Sequence, residues 1–171
     1  MMDRFEKGLV AINRWVLVVM LAAMACIIFA NVALRYLTND SLVWAEEAGR
    51  YLMIWITFLG SGLVLRFGGH VAIEDLQRSL PDRAARILRM VLVALLMVFF
   101  AAMAWWGIEY MDFMQYQTTP VMGISYWWVY LVSPIGFVLL MVHLALVARS
   151  YINELRFIES DEIDAEAAAS V

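Results

Sequence analysis

Three stretches of this chain are nearly free of charge, and each is long enough to cross a bilayer. Residues 15–34 hold one strongly polar member, Asn31; residues 90–108 carry no charge; in residues 126–148 only His143 is ionisable apart from tyrosines. A hydrocarbon core of about 30 Å needs roughly twenty residues of helix, whose backbone groups satisfy one another internally. A fourth stretch, residues 51–65, is short by itself, but adding residues 42–50 makes a spanning helix with two acids and an arginine in its first turns. The expected fold is therefore an all-α integral membrane protein with four spans, at about 15–36, 42–66, 87–111 and 126–148.

Composition agrees. Of 171 residues 64% are hydrophobic and 16% charged, with mean hydropathy +0.78, whereas soluble domains sit nearer half apolar and a quarter charged. The first apolar run is longer than a signal-peptide core and no small-residue cleavage site follows it, so it reads as a retained span. The single cysteine, Cys26, lies inside that run, which leaves no disulfide or thiolate metal site to build. Five of the sixteen acids lie beyond Arg156, leaving eleven against all twelve basic residues in the body. The acidic balance belongs to a tail, 157–171, expected to be solvated and without fixed structure, and the body of residues 1–156 is nearly neutral. Nothing in it resembles a nucleic-acid footprint.

Orientation follows the arginines and lysines in short flanking segments. Arg4, Lys7 and Arg14 precede the first span, and Arg66, Arg78, Arg83, Arg86 and Arg89 lie between the second and third. The third-to-fourth connection has none. Both termini and the middle connection are expected on the cytoplasmic side. Within that connection Val71, Ile73, Leu76 and Leu80 alternate with polar residues after Gly68-Gly69, as in an amphipathic segment over about 70–80 lying in the headgroup plane.

Charges inside spans are costly unless paired or near headgroups. Glu46, Gly49, Arg50, Thr57, Gly60 and Ser61 fall on one stripe of the second span, and Glu46 and Glu47 stand four and three residues before Arg50, so either can pair with it along the helix. The cluster reads as an interfacial anchor neutralised in place, as a contact surface for another polypeptide or another span, or as an ion-carrying carboxylate. The small residues below it permit close helix approach. His70 follows the double glycine and His143 lies near the end of span four; capping or polar roles fit them better than haem ligation, and no cofactor or metal site is expected. Pro120 and Gly123 mark a turn in the last loop, and Pro134 is expected to bend span four.

The run WAEEAGRYLMIWITFLGSGLVLRFGGHVAIEDL resembles the central signature of the small membrane subunit of TRAP transporters, the DctQ type. The matching positions are Glu46, Glu47, Arg50, Trp55, Phe58, Gly60, Arg66, Gly68 and His70, with Pro120, Gly123, Trp127, Tyr130, Pro134 and Gly136 in a second block. The resemblance implies a non-enzymatic scaffold in a bacterial inner membrane. Its expected partners are a large DctM-type permease subunit, a periplasmic DctP-type solute-binding protein and membrane lipid. The system would take up an organic acid on a sodium gradient. The rival readings are a self-sufficient four-span homo-oligomeric transporter, which lacks the deep carboxylate such exchangers need, and a membrane oxidoreductase.

Overall fold

The computed structural model describes residues 2–66 and 80–154; the amphipathic connector with His70 and the acidic tail lie outside them. Four helices are long and apolar enough to cross a membrane, so the all-α, four-span expectation holds.

α1 is Met2–Thr38. At 1.5 Å per residue its 37 residues run about 55 Å, more than a bilayer core needs. It ends where the Thr38 hydroxyl donates back to the Leu34 carbonyl at 2.7 Å and Asn39 takes φ 59°. Asparagine is one of the few side chains that enters the left-handed region at modest cost. α2, Ala45–Arg66, begins after this tight turn with Glu46 and Glu47 in its first turn, where carboxylates suit the positive end of the helix dipole. α3 is Asp82–Met114, opened by Pro81 at its N-cap position. A short α4, Tyr126–Tyr130, is capped by the Ser125 hydroxyl, which accepts the Trp127 N–H at 3.2 Å. α5, Val132–Glu154, follows after Leu131.

The break between α4 and α5, at Leu131, lies three residues before Pro134 rather than at it. Proline has no N–H to give the Tyr130 carbonyl, and its ring crowds that carbonyl. Leu131 nevertheless stays right-handed helical (φ −52°, ψ −30°), so the span is interrupted, not sharply turned.

The spans pack as an open row: α1 on α2, α2 on α5, α5 on α3. α5 is the centre of the row. Leu140 and Leu144 meet Leu65 of α2 and Phe100 of α3, with Val147 and Tyr151 continuing the core along α5. Gly136 lets α2 approach so closely that an added Cβ would lie 2.9 Å from Phe58 Cβ. Only 6% of the most apolar stretch of α1 is buried, against 39% for the last span. The outer helix of the row therefore presents nearly its whole apolar surface, Trp15, Val19 and Phe29 included, to lipid or another chain.

Polar side chains tie the row together at both ends. At the end holding the N-terminus, Arg66 pairs with Glu6 at 2.5 Å, and Arg89 donates to the carbonyls of Tyr151 and Ile152 at 3.3 and 2.9 Å. About two turns beyond Glu6 on α1, Asn13 donates to the Leu59 carbonyl at 3.0 Å. At the opposite, loop end, Asn31 accepts the Leu42 N–H at 2.8 Å. Asn13 and Asn31 are eighteen residues apart, five full turns, so one stripe of α1 carries both amides against α2 and its leading turn.

Candidate functional site

The site is at the loop end, where α2 begins and the connection from α3 to α4 folds over it. Glu46 and Glu47 are neighbours in sequence, but 100° of helical rotation sends them to different surroundings. Glu46 is exposed and lies 3.5 Å from Arg35 of α1. Glu47 turns inward and is only 6% exposed. One of its oxygens accepts the Tyr51 hydroxyl at 2.7 Å, and the other accepts the backbone N–H groups of Val121 and Met122 at 2.9 and 3.1 Å. A carboxylate taken out of water needs such compensation, and charge-assisted bonds to backbone N–H groups supply it.

The loop is shaped to deliver those two donors. Thr118 and Ser125 pair as an antiparallel bridge; the Thr119 carbonyl accepts the Gly123 N–H at 3.1 Å, and the Thr119 hydroxyl accepts the Ile124 N–H at 3.2 Å. Gly123 takes φ 67°, a value that favours glycine. Pro120 is exposed and precedes Val121, so both N–H groups that reach Glu47 follow the residue whose φ is fixed. Beneath the loop, Tyr51 meets Tyr126 edge-on at 6.4 Å, Tyr126 stacks on Tyr130 at 5.8 Å, and Tyr130 meets Tyr110 at 4.9 Å.

Several expected pairings are corrected here. Neither glutamate pairs with Arg50: Glu46 takes Arg35 instead, and Glu47 is satisfied by neutral donors from a loop more than seventy positions away. The small-residue stripe also divides. Gly49 and Gly60 face Ile28 and Leu17 of α1, while Arg50 and Thr57 are exposed. The hydroxyls of Thr57 and Ser61 bond back to Met53 and Phe58 of their own helix at 2.8 and 2.6 Å. Arg66 belongs to the other end of the row, on Glu6. Pro134 is buried beside Gly107 of α3.

Other residues that matter are inconspicuous in sequence. His143 is fully buried, with neither ring nitrogen hydrogen-bonded to any described residue, and a Cβ at Gly62 would lie 2.5 Å from its Cδ2. Glu6, Asn13 and Thr119 each hold an inter-element contact. Of these only Asn13 carries a sequence signal, an amide in a largely apolar helix. Among the described residues no group of three His, Cys, Asp or Glu side chains gathers to hold a metal.

These features define a multi-pass membrane protein in which the polar groups lock helices and a loop together. The chain belongs to the DctQ family: the family model for the DctQ component of tripartite ATP-independent periplasmic transporters matches residues 24–152. A TRAP transporter small permease protein of Haemophilus influenzae is 39% identical over 71 residues, 42% of this chain and 44% of that relative, so the match spans less than half of its length. The sialic acid TRAP transporter small permease protein SiaQ of Vibrio cholerae is 25% identical over 125 residues, 73% of this chain and 72% of its own. The isethionate TRAP transporter permease protein DctMQ of Oleidesulfovibrio alaskensis is 27% identical over 104 residues, 60% of this chain but 16% of that protein.

Proposed function

We propose that this chain is the small subunit that scaffolds a large permease subunit in a bacterial inner membrane, with both termini cytoplasmic. The assembled system takes up an organic acid, delivered by a periplasmic binding protein and driven by sodium. One observation carries the reading: the family match runs through an open row of spans whose described buried polar groups mostly serve packing, and whose flanks need a cover. A closed carrier would enclose its own pathway. The match to one-sixth of a longer protein named DctMQ supports a partner of large size. Relatives named for sialic acid and for isethionate are similarly distant from this chain, which supports a subunit that does not choose the substrate.

On this reading the loop end faces the periplasm. Glu47 holds the last loop in place there, and Val121, Met122 and Ile124 form its exposed tip. The test is a mild-detergent pull-down of the tagged chain from its native membrane, followed by mass spectrometry. A stoichiometric larger permease is the expected result. A lone homo-oligomer would overturn the scaffold reading in favour of a self-sufficient transporter.

A further inference from the structure

Arg50 is exposed on α2 and makes no ion pair or hydrogen bond with any described residue. The charge expected to offset it is elsewhere, because Glu47 is turned into the loop contact. That leaves Arg35, Glu46 and Arg50 together on one exposed surface, two guanidiniums against one carboxylate, with Glu46 3.5 Å from Arg35.

Depth narrows what can balance the surplus. Arg50 is five residues into α2, roughly 7–8 Å below its start at 1.5 Å per residue. The Cα–Cβ bonds of a helix tilt toward its N-terminus, so this side chain leads back toward Glu46 and the headgroup layer. A long cationic side chain so placed buries its stem and keeps its head among polar groups.

Below the charges is a cleft of about 370 Å³ between α1 and α2, lined by Met24, Ile28, Glu46, Gly49, Arg50 and Met53. It has room for roughly a dozen water-sized groups at about 30 Å³ each. Gly49 forms its wall where Ile28 of α1 packs directly on α2: a Cβ there would lie 2.9 Å from Ile28 Cδ1. The two methionines give it an adaptable apolar wall. An unbalanced guanidinium at headgroup depth over an apolar slot is complementary to an amphiphile with an anionic head and a hydrocarbon tail.

We propose that this cleft is a phospholipid site, in which Arg50, assisted by Arg35, holds the phosphate and one acyl chain runs down the cleft between Met24 and Met53. Arginine forks match phosphate oxygens two at a time, which distinguishes a held lipid from the surrounding bilayer. The proposal requires only that the chain spans a bilayer, so it stands apart from the scaffold reading.

The test uses the full chain with its partners in the native membrane, carrying a benzophenone photo-crosslinker in place of Met53. Irradiation followed by intact-mass measurement is expected to show an adduct of phospholipid mass. Its yield should fall at least about fivefold in Arg50→Gln, the loss of one charge-assisted contact, and recover only in part in Arg50→Lys, which keeps the charge but not the fork. Should Arg50→Gln fail to accumulate, Met24→Trp fills the cleft with the charges intact and should lower the yield likewise. A polypeptide adduct would overturn the proposal in favour of a protein partner on this face. A lipid adduct indifferent to these substitutions would reduce it to bulk lipid. No adduct at position 53, while a crosslinker at exposed Phe29 is lipid-labelled, would also overturn it.

Discussion

The Glu47 carboxylate accepts the Val121 backbone N–H at 2.9 Å across 74 positions of sequence, and that contact joins the start of the second span to the last loop. It makes the two adjacent glutamates unequal. Glu47 holds three donors in a buried setting, whereas Glu46 shares an exposed pair with Arg35.

Replacing Glu47 by alanine strands the N–H groups of Val121 and Met122 and the Tyr51 hydroxyl. These donors are part-buried, so the loss should lie toward the low end of the roughly 1–3 kcal/mol that a buried unmade donor costs; Glu47→Ala should lower the detergent melting temperature and expose residues 115–125 to hydrogen exchange. Glu46→Gln should change stability by less than about 0.5 kcal/mol, because exposed ion pairs are worth little. Equal effects of the two would contradict the assigned geometry.

Uptake by the assembled system gives a second readout of the same residues. Glu46→Gln combined with Glu47→Gln should impair assembly or transport while the four spans remain inserted, as followed by co-purification and a solute uptake assay. Normal uptake would mean that the pair is an anchor only.

Gly62 and His143 form a size-matched contact. Gly62→Ala puts a methyl into the imidazole and should cost about 1–3 kcal/mol by overpacking. Gly62→Ala with His143→Ala should recover part of that loss, since the second change makes room for the first. A thermal-melt double-mutant cycle in detergent checks the sign of the coupling.

The Arg66–Glu6 pair is mostly buried, with the two side chains 4% and 17% exposed. Removing one member of a buried pair costs about 3–5 kcal/mol when the other charge is left uncompensated. Arg66 has a further contact besides Glu6, so Glu6→Gln should cost less than that range, and Arg66→Gln should cost more than Glu6→Gln. Cysteine cross-linking between the start of α1 and the end of α2 would report the separation directly.

Asn13→Leu removes the bond to the Leu59 carbonyl yet gains apolar surface. Interhelical hydrogen bonds within membranes average about 0.6 kcal/mol, so the variant should fold with nearly unchanged melting. A collapse of stability would give this amide more than a packing role.

The all-helical class and the count of four spans were legible in the chain because they rest on local quantities. Twenty uncharged residues form a membrane helix whatever their neighbours do. The acidic pair at the head of the second span was equally visible, and so was its restriction to the end of a helix. Its partners were not. Helical spacing ranked Arg50 first for both glutamates, because i,i+4 neighbours are what periodicity can see. The donors that bind Glu47 belong to peptide groups after Pro120, and backbone N–H groups carry no sequence signature.

Tertiary structure alone decided the order of the row, α1–α2–α5–α3, and with it which glycines meet which side chains. Gly62 and His143 are more than eighty residues apart and unremarkable singly; only parallel packing of the second and last spans brings a fully buried imidazole onto a missing side chain. It also decided that Arg50 stays on the surface without a partner among the described residues. Hydrophobic length determines that a segment crosses the bilayer, but which face turns inward depends on shape and hydrogen bonds between segments distant in sequence, since lipid tails are as apolar as the side chains themselves.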